Sequence, residues 1–380
     1  MNKQALGIII YNIIVVLSIM YATQPLQPIL AAEFHVSMTQ SSLFTAVILL
    51  CLAIAPIFYG YILESISAKK MLIIASIILF FTNLVLAFSS TYEMFLFMRI
   101  CEGLIVPAIL TSSMSILANI DKNNVQFNMS VYVASTVFGG LIGRVLSGFI
   151  ASEFGWRAVF FSLSFALFIS LLFIRNLKLD ISSKMNKPKL KDILFILKDK
   201  RFALIYLTMF IIFFVFAGLL NLLPFRMKDL FPNMNESSIG LLYLGYGSGI
   251  IVALFSRKII LFFKSSISTV LAGGSFFTFI TVFFISSNHS VIFFLMFLLC
   301  VGMFTVHTVA SGMANSIFEK QKGLTSGMYL SFYYIGGALG SALPTLIYKY
   351  YGWNTVIFIF ILCLLFIFAL LYKNRAIFNN

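Results

Sequence analysis

The sequence predicts an all-α integral membrane protein, with twelve transmembrane helices arranged as two six-helix parallel repeats. Three observations carry this. Of 380 residues, 61% are apolar and only 10% charged, whereas a soluble domain has about 45–50% apolar and roughly 25% charged residues. One charged residue in ten cannot coat a water-exposed surface, so a soluble enzyme is excluded. The apolar residues fall into runs near the length of about 20 residues that crosses a ~30 Å hydrocarbon core. Finally, the only two tryptophans lie in near-identical contexts, Phe154-Gly155-Trp156 and Tyr351-Gly352-Trp353, 197 residues apart.

Apolar runs read against polar breaks place the spans at 7–30, 41–63, 71–89, 94–117, 129–151, 157–174, 203–223, 239–256, 267–286, 291–316, 324–346 and 355–372. The first run continues from Leu6–Met20 through Pro25 and Pro28 without a small-residue cleavage site, so it reads as a span and not a signal peptide. Residues 89–93 and 287–290 leave room only for tight turns. The stretch Arg175–Arg201 differs: it holds nine Lys/Arg and shows apolar periodicity only at Ile193–Leu197. It reads as a solvated basic linker with room for a short interfacial helix. The expected organisation is a six-helix bundle at 1–174, a cytoplasmic linker at 175–202 and a second bundle at 203–380. Cys51, Cys101, Cys300 and Cys363 all fall inside apolar segments with no C-x-x-C spacing, which argues against a disulfide framework or a zinc site.

The formal charge of +14 comes from 26 Lys/Arg against 12 Asp/Glu. With the amino terminus inside, Lys3, Lys69, Lys70, Lys122, the nine linker residues, Arg257, Lys258, Lys264, Lys320, Lys322, Lys373 and Arg375 all fall on the cytoplasmic side. Only Arg157, Arg226, Lys228 and Lys349 fall outside. This asymmetry predicts cytoplasmic termini, and it accounts for the basic charge without nucleic acid.

The 197-residue offset extends upstream without a gap. Gly139 and Gly140 align with Gly336 and Gly337, and Gly143 aligns with Gly340. Glycines within a span permit close helix packing, which explains each glycine but not their duplication.

Charges inside the membrane are costly and mark functional candidates. Glu102 is the only carboxylate within a predicted span, and Arg99, three positions earlier, shares its helix face. Counting 1.5 Å per residue from the outer end puts Arg99 roughly 8 Å deep, Glu102 roughly 12 Å, and Arg144 of span five about 9 Å. These three charges read either as a structural staple or as a proton and substrate site. His307, the only histidine within a span, lies about 24 Å from the outer end, as a hydrogen-bonded neutral imidazole or a second titrating group. Asn12, Gln24, Gln27, Asn221, Tyr333 and Tyr334 are candidate cavity residues or, taken singly, interhelical hydrogen-bonding groups.

Four stretches resemble the major facilitator superfamily, most closely its twelve-span drug:proton antiporters. Gly60 to Lys70 (G-Y-I-L-E-S-I-S-A-K-K) is similar to the family's G-x-L-x-D-R-x-G-R-R loop, with Glu64 in place of the Asp and Lys69 among the basic residues. Arg99-Ile-Cys-Glu102-Gly103 resembles R-x-x-x-G. Gly139 to Gly148 (G-G-L-I-G-R-V-L-S-G) resembles the antiporter signature G-x-x-x-G-P-x-x-G-G, with Arg144 replacing the proline. Gln24-Pro25-Leu26-Gln27-Pro28 resembles the Q-P-x-x-P of one exporter branch. The resemblance implies two halves around a central cavity lined by spans one, four, seven and ten. It further implies proton-coupled efflux of small organic compounds, a plasma (bacterial inner) membrane location, monomeric function and no cofactor. It assigns a conformational role to the Gly60–Lys70 loop and a hinge to the paired glycines. Proton-coupled uptake of a sugar or carboxylate is the alternative. With no nucleotide loop, H-x-x-x-H or nucleophile elbow in the sequence, neither a primary pump nor an enzyme is expected.

Overall fold

The computed structural model describes residues 3–62, 65–121, 124–177, 190–318 and 322–378. Every regular element among them is helical. In chain order these are α1 Lys3–Tyr21, α2 Gln27–Glu33, α3 Met38–Ile62, α4 Ala68–Phe88, α5 Tyr92–Ile120, α6 Val125–Phe154 and α7 Trp156–Arg175. There follow α8 Leu190–Lys198, α9 Lys200–Leu230, α10 Glu236–Leu242, α11 Ser248–Phe262, α12 Ser266–Phe283, α13 His289–Ile317 and α14 Lys322–Lys373. Among the described residues, eleven helical stretches are long and apolar enough to cross a membrane. The last, Gly323–Lys373, has 51 residues, or about 76 Å at 1.5 Å per residue. It therefore holds two crossings, divided at Gly352, whose φ of 79° is its one non-helical backbone position.

Two predicted spans differ in detail. Span one does not run as one helix to residue 30: α1 stops at Tyr21 and α2 restarts at Gln27. Pro25 and Pro28 have no N–H, so the carbonyls of Tyr21 and Gln24 lose their regular donors, and the chain turns through Ala22–Leu26. Span eight is α10 and α11 joined by a 3₁₀ segment, Tyr243–Gly247, where a Cβ on Gly245 would sit 2.6 Å from the Met296 carbonyl carbon. The linker contains the nine-residue helix α8.

The chain divides into two compact units, Met1–Lys187 with Phe231–Tyr243, and Pro188–Leu230 with Leu244–Asn380. In the first, α10 packs on α6, where Gly240 lies against the Arg144 carbonyl and Gly148. Its core includes Phe44, Phe95, Trp156 and Phe160, with Trp156 and Phe95 rings 5.8 Å apart.

The internal repeat is structural. Gly139 and Gly143 of α6 lie on α1 at Ile14 and Ser18, while Gly336 and Gly340 of α14 lie on α9 at Phe210 and Phe214. Each pair of contact positions corresponds at an offset of 196, within one residue of the sequence repeat. In both units a side chain on these glycines would strike the facing backbone. Gly155 and Gly352 also match, with φ of 82° and 79°, a conformation open to glycine at little steric cost.

Candidate functional site

The charged site is assembled by the break in span one. Arg99 and Glu102 sit on one face of α5 and are fully buried, with Arg99 Nη1 2.5 Å from Glu102 Oε2. Gly103 is what lets α5 approach α3: a Cβ there would be 3.0 Å from Ile48 Cα and 3.1 Å from Cys51 Cβ. From that close position Arg99 Nε donates to the Phe44 carbonyl at 3.0 Å. Nη1 also donates to the Ile19 carbonyl at 3.2 Å. Nη2 donates to the Met20 carbonyl at 3.0 Å and the Thr23 hydroxyl at 3.3 Å. In an unbroken helix the Gln24 N–H would serve Met20; here it turns to Tyr21, and the guanidinium supplies the donor instead. All five N–H groups of Arg99 are engaged. Glu102 differs, because its Oε1 is buried with no hydrogen-bond partner among the described residues.

Arg144 occupies a separate setting. Its Nε donates to Gln24 Oε1 at 2.6 Å and Nη1 to the Gly140 carbonyl at 2.7 Å. Its guanidinium carbon lies 3.9 Å over the Tyr21 ring and 5.5 Å from that of Tyr243. Gly140 makes the room: a Cβ would come within 3.2 Å of both Arg144 Nη1 and Tyr21 Cδ2. The three charges thus form an ion pair and a distinct arginine site.

The neutral candidates divide between the units. In the first, Asn12 donates to Ser170 at 2.8 Å, joining α1 to α7. Gln27 donates to Thr45 at 3.1 Å and accepts from Ser42 at 3.2 Å, joining α2 to α3. In the second, Asn221 donates to the Ser341 carbonyl at 3.0 Å, joining α9 to α14. His307 lies with Nδ1 2.9 Å from the Tyr329 hydroxyl, its ring 4.8 Å from that of Tyr333. Tyr333 stacks on Phe213 at 3.7 Å and on the neighbouring Tyr334 edge at 5.1 Å. The Gly337 position abuts the Phe213 ring. Lys69, in the first turn of α4, donates to the carbonyls of Arg175 (3.0 Å) and Leu177, at the end of α7, as a basic group does at a helix carboxyl end. Gly60 lies in the last turn of α3, and Glu64 lies outside the described residues.

Sequence reasoning missed Tyr21, Thr23 and Tyr329. Tyr21 carried a signal, since it precedes the break at Gln24 and shares that end of span one. Tyr329 carried one too, since it recurs as Tyr132 at the repeat offset of 197, but that alignment names no partner.

Residues 9–315 and 264–376 match the family model described as the Major Facilitator Superfamily. The chain belongs to the major facilitator superfamily. It is thus an integral membrane protein and a secondary transporter that works by alternating access. This superfamily member is 26% identical over 353 residues to the inner membrane transport protein YnfM of Escherichia coli, covering 89% of this chain and 82% of that relative. It is 23% identical over 341 residues to the multidrug efflux protein YfmO of Bacillus subtilis, covering 87% and 83%. Among solved structures it resembles the nucleoside transporter NupG, with a TM-score of 0.83 at 12% identity over 97% of this chain and 99% of that one. A bacterial homologue of the lysosomal transporter Spinster gives a TM-score of 0.78 at 13% identity, covering 98% and 96%. These structural likenesses bear on the fold alone.

Proposed function

We infer that the transporter exports small organic or drug-like compounds in exchange for protons, with Glu102 as the proton-carrying group. The observation that carries this is the Glu102 carboxyl: buried, held through Oε2 by Arg99, with Oε1 free of protein donors among the described residues. That oxygen can accept a proton without first breaking a hydrogen bond. The direction is supported by the likeness of Gly139–Gly148 to the antiporter signature and by the relative named for multidrug efflux. His307 is the second candidate for proton transfer, through the nitrogen not facing Tyr329. The basic-residue asymmetry supports cytoplasmic termini in a bacterial inner membrane. The reading requires no cofactor or nucleic acid, and the expected working unit is one chain.

The test uses everted membrane vesicles carrying an imposed proton gradient, screened for compounds that dissipate it. Export by exchange predicts substrate-dependent proton efflux from the vesicles. Glu102→Gln should lose gradient-driven transport while keeping downhill exchange. Uphill transport at the wild-type rate with an unchanged response to pH in Glu102→Gln would make Glu102 structural. Substrate driven the opposite way across the membrane would assign uptake.

A further inference from the structure

Five oxygens from three segments surround one guanidinium in the first unit: the carbonyls of Ile19, Met20 and Phe44, the Thr23 hydroxyl and the Glu102 carboxylate. Four are neutral dipoles and one carries charge. Carbonyl and hydroxyl oxygens with one carboxylate can replace the hydration shell of a monovalent cation, and their spread over Nε, Nη1 and Nη2 suits a planar one. We propose that these oxygens form a cation site created by the break in span one, suited to guanidinium-type monovalent ions, and that Arg99 is its tethered occupant.

Three features support this. The guanidinium has no N–H left over, so in this structure Arg99 is spent on the cage and offers nothing to a substrate. The Met20 carbonyl faces the site because Gln24 N–H has turned to Tyr21; the break and the site are one feature. The second half lacks both parts: α9 runs unbroken from Lys200 to Leu230, and the residue aligned with Arg99 through the Gly103–Gly302 pair is the apolar, half-exposed Leu298. The cage is therefore particular to the first half and no by-product of the duplicated fold. The inference holds whichever way substrate moves and whether or not Glu102 carries protons.

The test removes the tether and supplies the ion. Arg99→Ala, purified in detergent, is heated while the fluorescence of the two buried tryptophans is followed, Trp156 reporting the unit that holds the site, with guanidinium chloride titrated below its unfolding range. The expected result is a lowered melting temperature that guanidinium raises along a saturable curve. Wild type should show no rise, and neither should Arg99→Ala in choline chloride, whose cation is too large for the site. In Arg99→Ala combined with Glu102→Gln, the guanidinium midpoint should weaken by about tenfold or more, the worth of one hydrogen bond to a charged group. A linear or absent response, an equal response in wild type, or an equal response to choline overturns the proposal. If Arg99→Ala gives no folded protein, Arg99→Lys decides. A tethered ammonium should yield a folded protein that guanidinium no longer stabilises, and loss of the fold there as well would overturn the cage.

Discussion

Arg144 and Asn221 occupy related places in the two halves and should respond very differently to replacement. Gln24 and Arg144 become Asn221 and Ser341 at the repeat offset of 197, and in each half the pair is hydrogen-bonded. Replacing Arg144 by leucine removes a 2.6 Å bond to Gln24, a 2.7 Å bond to the Gly140 carbonyl and a cation–π contact at 3.9 Å. Hydrogen bonds to a charged group contribute about 1.5–3 kcal/mol each, and a desolvated cation–π contact about 2. Recovered desolvation of the guanidinium offsets part of this, leaving an expected loss of roughly 3–5 kcal/mol. Asn221→Leu removes the neutral bond to the Ser341 carbonyl, and such a bond between membrane helices is worth about 0.6–1.7 kcal/mol. At roughly 2–4 °C per kcal/mol for units of this size, Arg144→Leu should lower the melting temperature by roughly 6–20 °C and Asn221→Leu by roughly 1–7 °C. Trp156 and Trp353, each 4% exposed, report one unit apiece, so tryptophan fluorescence on heating in detergent reads both. Equal shifts, or a larger one for Asn221→Leu, would refute the argument that the guanidinium is held by its charge.

Two further outcomes follow from packing and charge. Gly143→Ala should cost roughly 1–3 kcal/mol by overpacking, because its Cβ would meet the Ser18 carbonyl oxygen at 2.7 Å. Gly7→Ala, with open space around the new methyl, should be neutral or slightly stabilising, and the same fluorescence melts compare them. Hydrogen bonds from Arg201 hold the Asp199 carboxyl below its ordinary value. A carboxylate lowered in the folded state adds stability that is fully present above its unfolded value of about 3.9 and is lost as pH falls through the folded one. Asp199→Asn should therefore cost under about 1 kcal/mol at neutral pH, as expected for a partly exposed pair. The gap from wild type should close as a pH series of melts descends into the acid range.

The spans and the repeat were legible because each rests on local information. Apolar run length marks a crossing, and glycines recur where two helices must touch. The break in span one was written in Pro25 and Pro28, yet high apolarity on both sides read as one continuous span. The division of span eight was harder to see, since Tyr243–Gly247 keeps the composition of its neighbours and departs from α-helix through packing of Gly245 on α13. At the site, the Arg99–Glu102 contact followed from helical spacing alone. The partners that use up the rest of the guanidinium are mostly backbone carbonyls, which no side-chain pattern announces. For Arg144 the sequence offered a depth, but depth cannot assign a partner, and its neighbours are Gln24, Gly140 and the Tyr21 face.

The turn at Gly352 has a practical side. A single residue outside helical geometry reverses the chain between two crossings, so very little backbone is left in need of water. Such a pair of helices can sink into lipid together during synthesis, with Lys349 the one charge beside the turn to carry across. The same economy leaves no slack for grafting. A tag or fluorescent protein inserted beside Gly155 or Gly352 must pull two crossings apart, while one placed within residues 286–288, outside the helices, has free chain to lengthen.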